Sequence, residues 1–305
     1  MNIKVDVSII IVTYNTCKMT DECIDSIIEK TSGISYEIIL VDNASKDESR
    51  NFFTGDSRIK YIYNEENIGF GKANNKGVEI AEGRNILFLN SDTLLRNNAI
   101  KILSDFLDSH ENTGACGGNL FDLEGSPAQS FRTYFPSIYD DFNVLLNNIP
   151  DRIFPKRRIK FNHMGKPLEV KHIIGADMMV KSEVIEKTGA FDPRFFMYRE
   201  ETELCHRIYN AGYKLYSVPD AEITHFVTKT VNTFFVKKDR LYMFEKSDML
   251  YNELTHSTFH NRCSRVLRYI TYNIKRLSPK KSVRENNRIR LEIFKELIGK
   301  STYYS

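Results

Sequence analysis

The chain of 305 residues contains no apolar run approaching the roughly 20 residues that span a bilayer. A helical membrane-spanning class is therefore not expected. The first residues, MNIKVDVSIIIV, carry too short an apolar segment for a secretory signal and no small-residue cleavage site. The expectation is a cytoplasmic protein, soluble or peripheral on the inner face of the plasma membrane. Cysteine is sparse: Cys17, Cys23, Cys116, Cys205 and Cys263, odd in number and without a C-x-x-C. That argues against a disulfide framework or a thiolate metal site and for reduced thiols. The glycine signatures of phosphate loops are missing too. No G-x-x-x-x-G-K-S/T occurs, and no G-x-G-x-x-G follows a strand directly, so neither a P-loop nor a dinucleotide fold is supported. Internal repeats and low-complexity tracts are also absent.

What is present suits one large α/β domain with appendages, or two modest domains. The net charge of +3 hides an asymmetry. Residues 230–305 hold sixteen Lys or Arg against seven Asp or Glu, a net +9, which leaves −6 for the rest. A basic tail on an acidic body points to an anionic partner for the tail.

The first half alternates strand and helix. Val5 to Val12 reads as a buried strand ending at Thr13-Tyr14-Asn15, followed by a helix over 19–30 with Ile24, Ile27 and Ile28 inward. Glu37 to Val41 is a second strand, ending at Asp42-Asn43, and Ile59 to Tyr63 a third. NEENIGFGKANNKG follows, with helix over 71–82. A fourth strand, 85–89, empties into Asn90-Ser91-Asp92, and a helix over 97–109 comes next. Such alternation implies a mostly parallel sheet with right-handed crossovers. Ligands of these sheets bind outside the carboxyl ends of the strands. Asn15, Asp42, Asn43 and Asp92 all fall where a strand has just ended, so they are expected to line one crevice. Each alone reads better as a turn former; the four together do not.

Residues 125–170, with five prolines, read as a long irregular excursion. HIIGADMMVKS returns to a strand-like run, with Ser182 as a cap for a short helix. AFDPRFFMYREETELCHRIYNAGY begins as a loop and becomes a helix with Gly212 placed for its end. KLYSVPDAEITH is a last strand.

Three clusters could carry chemistry. Asp92, with neighbouring oxygen donors, has the ligand chemistry of a hard cation carrying phosphates; NSD alone also reads as a turn or helix cap. Glu200, Glu201 and Glu203 crowd a helix start, where they either oppose the macrodipole or supply a general base. Gly69 and Gly71 precede a helix and could admit a phosphate or sugar. His225, ending the last strand, is either structural or a metal ligand.

Taken in order, SIIIVTYN, EIILVDNASKDES, NEENIGFGKANNKG, ILFLNSDT, GADMMV, GAFDPRFFMYREETELCHRI and AGYKLYSVPDAEITH resemble the family 2 inverting glycosyltransferases of the GT-A fold. Within them the chain looks most like the rhamnosyltransferase-like branch of bacterial surface-polysaccharide synthesis. The match covers about residues 5–228. It implies a GT-A catalytic domain over 1–229, with a Rossmann-like nucleotide-binding half over 1–113 and an acceptor half over 114–229, and a basic, mainly helical extension over 230–305. It implies that Thr13, Tyr14, Asn15 and Asp42 hold the base and ribose of a dTDP- or UDP-sugar. Asn67, Gly69 and Asn74 would sit beside the nucleotide or sugar, with Asn90 and Ser91 also on the donor. Asp92 would bind Mg²⁺ or Mn²⁺ on the diphosphate, with His225 completing the metal site. Glu201 stands where the family's E-D pair has its Asp base, and Glu200 would help position a glycan or lipid-linked acceptor. Two departures stand out: Asn90 replaces the first Asp of D-x-D, and the base is one methylene longer.

In the tail, RCSRVLRYITYNIKRL (262–277) fits an amphipathic helix with Val266, Leu267, Ile270, Ile274 and Leu277 on one face. Arg262, Arg265, Arg268, Lys275 and Arg276 surround that face. Through 262–290 this is either a surface for anionic membrane or a helix packed on the catalytic domain. Basic residues alone are no recognition motif, and nucleic acid is not expected. Two other readings remain: a sugar-phosphate nucleotidyltransferase, against which IVTYNTCKMT lacks a glycine, and a degenerate nucleotide-sugar-binding protein.

Overall fold

The structure, a computed structural model, describes residues 5–153, 159–226 and 237–301. It divides into two compact units. One comprises residues 1–135, 159–196 and 200–231, the other 136–158, 197–199 and 232–305. The expected domain boundary at 229/230 lies outside the described residues.

In the first unit β1 (Val5–Thr13), β2 (Tyr36–Asp42), β3 (Lys60–Tyr63) and β4 (Gly83–Asn90) run parallel. They are followed by β5 (Thr93–Leu95), β6 (Thr113–Phe121), β7 (Phe131–Arg132), β8 (Leu168–Val170), β9 (His172–Ile173), β10 (Asp177–Lys181) and β11 (Lys214–His225). Among the described residues nine strands form one sheet in the order β3-β2-β1-β4-β10-β6-β11-β5, with β8 beside β11. β10 is antiparallel to both β4 and β6, and β6 is parallel to β11. The sheet is thus mixed: six strands share one direction, and β10 at its centre and β5 and β8 beside β11 are reversed.

Both faces are covered, which is why the strands read as nearly continuous apolar runs. Val7, Ile9 and Ile11 face one core with Leu87 and Leu89. There they meet Ile24 and Ile27 of the helix Cys17–Lys30 and Ile100, Leu103, Phe106 and Leu107 of the helix Ala99–Ser109. Ile10, Ile86 and Phe88 face the opposite core with Ala73, Leu204 and Ile208.

Several expectations are corrected. Ile28 points out, because the inner stripe runs through Cys17, Thr20, Cys23, Ile24 and Ile27, one helical step away. The span 125–170 is not irregular throughout. It holds β7, β8 and two short helices, Ile138–Leu145 and Ile149–Ile153. The first follows a capping box, in which the Ser137 amide donates to Asp140 Oδ2 (2.8 Å). Ser182 is a first helical residue whose hydroxyl donates to the Gly83 carbonyl, not a cap.

The second unit gathers the helices Lys237–Thr255, Thr258–Lys275 and Lys281–Ser301 with those of 138–153. Its small core contains Met249, Tyr272, Leu291, Ile293, Phe294 and Leu297. The helix Thr258–Lys275 is inverted in polarity. Its buried residues are Ser264, Arg268, Thr271 and Tyr272, whereas Phe259, Val266, Tyr269, Ile270 and Ile274 are exposed. Arg268 is therefore not a surface residue. Its guanidinium lies 2.8 Å from Asp248 and 3.1 Å from Glu245 inside the bundle.

Asp177 is a fully buried carboxyl on β10, accepting from the Gly118 amide at 2.6 Å. Burial pushes it up from 3.8 to about 7. The fold therefore favours the protonated form. The stability this contributes is complete below the unfolded value and is lost as pH rises through about 7. Asn mimics the protonated acid. In chelator, Asp177→Asn is expected to match wild type near pH 4 and to be more stable at pH 8, by about 4 kcal/mol at most. Thermal melts of both proteins across that window check this; parallel curves would refute it.

Candidate active site

The rim of the sheet is set by register. Thr13 on β1 lies opposite Asp42 on β2, and Val12 lies opposite Asn90 on β4. With strands about 4.8 Å apart, the backbones of Asp42 and Asn90 stand about 10 Å from each other across β1. The β1 end is tied to the following helix. The Thr13 hydroxyl contacts those of Thr16 and Thr20, both at 2.9 Å, and Thr16 reaches the Ser91 hydroxyl at 3.3 Å. Half-buried Tyr14 follows, then Asn15 at φ +55°, a left-handed conformation that Asn tolerates. Its side-chain oxygen accepts from the Lys46 amide (2.6 Å).

Asp42 is buried with both oxygens engaged, by the Ser45 amide and by the Tyr61 hydroxyl, each at 2.8 Å. Burial first, then the hydrogen bond to Asp42 and its charge, raises the Tyr61 phenol above its ordinary value. Asn43 beside it is a hub. Its amide donates to Asn67 Oδ1 (2.9 Å) and its oxygen accepts from Asn64 Nδ2 and the Ile68 amide. This hub orders the loop to Gly69, where φ is +88° and an added Cβ would lie 2.5 Å from the Phe196 carbonyl. Only glycine fits there. Asn74 is buried in the helix Phe70–Glu79 and donates back to the Phe70 carbonyl (3.0 Å).

Across the rim, β5 pairs with β11 so that Thr93 faces His225. The Asp92 carbonyl accepts from the Phe226 amide (2.9 Å). These bonds hold His225 Nε2 3.3 Å from Asp92 Oδ1 and 3.3 Å from Asn90 Nδ2. The ring's Nδ1 is buried without a hydrogen-bond partner. A carboxylate and an imidazole nitrogen converging at one point suit a divalent cation. Among the described residues no group of three or more His, Cys, Asp or Glu forms a cation cage. The pair therefore fits as half a site, with substrate oxygens and water as the remaining ligands.

The three glutamates separate by environment. Glu203 is buried and pairs with Arg207 through both oxygens, at 2.6 and 2.7 Å. Arg207 in turn donates to the carbonyls of Thr188, Gly189 and Ala190, closing the helix ahead of it. Glu200 is buried with Oε2 unpartnered, and burial, then the neighbouring Glu201, holds its carboxyl well above the usual range. Its surroundings thus favour the protonated form. Glu201 keeps about a fifth of its side chain exposed, with Oε1 3.2 Å from His172 Nε2. Beneath it lies Gly175, whose neighbour Ala176 accepts from the Asn90 amide at 3.0 Å. Asn90 and Glu201 are thereby linked by one hydrogen bond, one peptide bond and the packing of Glu201 on Gly175. Sequence reasoning missed Tyr61, Ser45 and His172. The bonds of Tyr61 to Asp42 and of His172 to Glu201 join residues far apart and leave no periodic trace, whereas Ser45 closes a local turn on Asp42.

The profile of the family described as "Glycosyl transferase family 2" matches residues 8–189. The chain belongs to this family. Among family 2 relatives, the low-salt glycan biosynthesis hexosyltransferase Agl10 of Haloferax volcanii is 30% identical over 206 residues, which is 66% of this chain and 61% of Agl10. The dTDP-rhamnosyl transferase RfbF of Shigella flexneri is 25% identical over 221 residues, 72% of this chain and 68% of RfbF. Among solved structures, GalNAc-T7 with UDP, GalNAc and Mn²⁺ superposes with a TM-score of 0.61 at 16% identity, covering 98% of this chain and 57% of that one. S. aureus TarS gives 0.55 at 15% identity, covering 92% and 47%. These likenesses show the shared GT-A fold.

The separation of the glutamates is testable without a substrate. Glu203→Ala leaves the half-buried Arg207 without its carboxylate and is expected to lower stability by about 1–3 kcal/mol. Glu201→Gln should change it by less than about 1 kcal/mol. Denaturant titrations of the two variants check the order.

Proposed function

We propose that the chain is an inverting glycosyltransferase, moving a sugar from a dTDP- or UDP-sugar to a hydroxyl of a glycan or lipid-linked acceptor in cell-surface polysaccharide synthesis. The observation that carries the reading is the convergence of the Asp92–His225 pair and the one solvent-reachable glutamate of the helix Glu200–Asn210 on the ends of β4 and β10. The printed names of Agl10 and RfbF, a glycan hexosyltransferase and a dTDP-rhamnosyl transferase, support the substrate class.

The residues divide the work. Thr13, Tyr14, Asn15 and the Asp42–Asn43 loops form the nucleotide side, with Asn67, Gly69, Asn90 and Ser91 along the donor and Asn74 supporting the Gly69 loop from inside its helix. Asp92 and His225 would hold Mg²⁺ or Mn²⁺, which supplies positive charge to the leaving diphosphate. Glu201 takes the proton of the acceptor hydroxyl as that oxygen bonds to the anomeric carbon and the bond to the diphosphate breaks. A single displacement from the opposite face inverts the configuration. The charge spread is oxocarbenium-like, as in glycoside hydrolysis. Glu200, buried beside the base, helps position the acceptor. A nucleotidyltransferase is not favoured, since the chain lacks a glycine-rich N-terminal loop and belongs to family 2.

The membrane reading is supported by the inverted helix. Phe259 and, just beyond the helix, Leu277 are each 77% exposed, and Val266, Ile270 and Ile274 lie between them. Arg262 and Arg276 are exposed alongside. An outward apolar stripe bordered by cations is the form of an interfacial helix. Among the described residues no helix is long and apolar enough to cross a membrane.

Two outcomes are expected. Asp92→Ala and Glu201→Gln each lower nucleoside diphosphate release from dTDP-rhamnose, UDP-glucose or UDP-GalNAc by at least about 10³-fold, a typical loss for such groups. Glu201→Gln still binds the nucleotide by calorimetry. An active Glu201→Gln enzyme would remove this residue from the mechanism. Second, Val266→Asp/Ile270→Asp in the full chain abolishes flotation with phosphatidylglycerol vesicles. Equal flotation of variant and wild type would exclude the helix as the contact.

A further inference from the structure

The proposed base carries one methylene more than the Asp of its family, and therefore one more rotatable bond between backbone and carboxylate. A general base with an extra torsion loses rate by misplacement, because errors near 1 Å cost about 10²-fold. Something in this chain must fix that torsion, and the structure shows two contacts that do so. The first is below the side chain: a Cβ added at Gly175 would stand 3.3 Å from Glu201 Cβ and 3.4 Å from its Cγ. Gly175 is thus a bare floor on which the methylenes lie. The second is at the tip, where His172 Nε2 is 3.2 Å from Glu201 Oε1. His172 is itself immobile. Its residue is 2% exposed on β9, which pairs with β7 through Arg132 opposite His172. The Thr202 hydroxyl, 3.3 Å from the same nitrogen, holds the ring from the next residue of the glutamate's own helix.

We propose that His172 is the positioning residue of Glu201: its Nε2–H donates to Oε1 and fixes the carboxylate that takes the acceptor proton, while Gly175 supplies the floor. An ionised carboxylate only accepts, so Nε2 must carry the hydrogen. This inference rests on Glu201 being the base, and the longer side chain and the histidine form one compensating pair.

The tests use the full chain. In ¹⁵N-histidine-labelled protein, one imidazole must show a protonated Nε2 at neutral pH that disappears in His172→Phe and shifts in Glu201→Gln. An unprotonated Nε2 at His172, or a signal indifferent to Glu201→Gln, overturns the proposal. Kinetics with the donor that gives nucleoside diphosphate release in wild type supply the second arm. His172→Phe keeps an aromatic ring but loses the donor, so kcat falls about 10–100-fold with donor KM within about twofold. His172→Gln restores an N–H and recovers at least about half of that loss on a logarithmic scale. Ring packing alone would make Phe the milder change, the opposite order. Gly175→Ala is expected to lower kcat similarly. If Glu201→Gln stays active, the base assignment fails while the NMR contact stands. If Glu201→Gln is dead and His172→Phe runs at wild-type kcat, only the present inference fails.

Discussion

The backbone ladder of β1 with its two neighbours is the constraint on which the rest depends. Because Thr13 stands opposite Asp42 and Val12 opposite Asn90, three strands end at one level. A slip of one residue would turn every side chain of β1 to the other face, exchanging the Val7–Ile9–Ile11 and Ile10 sets between two filled cores. The alternating packing on both faces therefore holds the rim in place at high cost to any alternative. Asn90 and His225 end strands at that rim, Ser91 and Asp92 follow in a turn, and Glu201 opens a helix.

The reversed strand β10 extends this logic. It enters the sheet from the rim, so Gly175 and Ala176 arrive beside Asn90 as a strand begins, not as one ends. That reversal brings a second chain segment to the same edge, together with the helix that starts at Glu200. Polar residues at the ends of parallel strands could be read from the pattern of the sequence. An incoming antiparallel strand could not, since a short apolar run of Met and Val reads the same in either direction. The parallel half and its rim residues were thus legible from Ile- and Val-rich runs that stop at Asn or Asp.

What escaped a linear reading has a common physical cause. Tyr61 and Asp42, His172 and Glu201, and Asn43 and the Gly69 loop are partners through long-range hydrogen bonds, which have no period. The helix Ile138–Leu145 was hidden behind prolines, yet Ser137 and Asp140 at cap spacing did announce it. The tail was legible in its amphipathic period but not in its orientation. Periodicity identifies a stripe and says nothing about which side meets the protein, and Arg268 took the buried side because Asp248 and Glu245 receive it there.

The residues just ahead of the glutamates have a consequence for how this protein can be divided. Tyr198 and Arg199 both adopt left-handed backbone, at φ 72° and 69°, a conformation that non-glycine residues keep only when neighbours hold them. Arg199 is gripped by Asp248, 2.6 Å away on the helix Lys237–Thr255. The peptide bond after Arg199 leads straight into Glu200. A shortened polypeptide ending near residue 230 would thus lose the carboxylate that grips Arg199 and would leave two strained backbone positions without their partner.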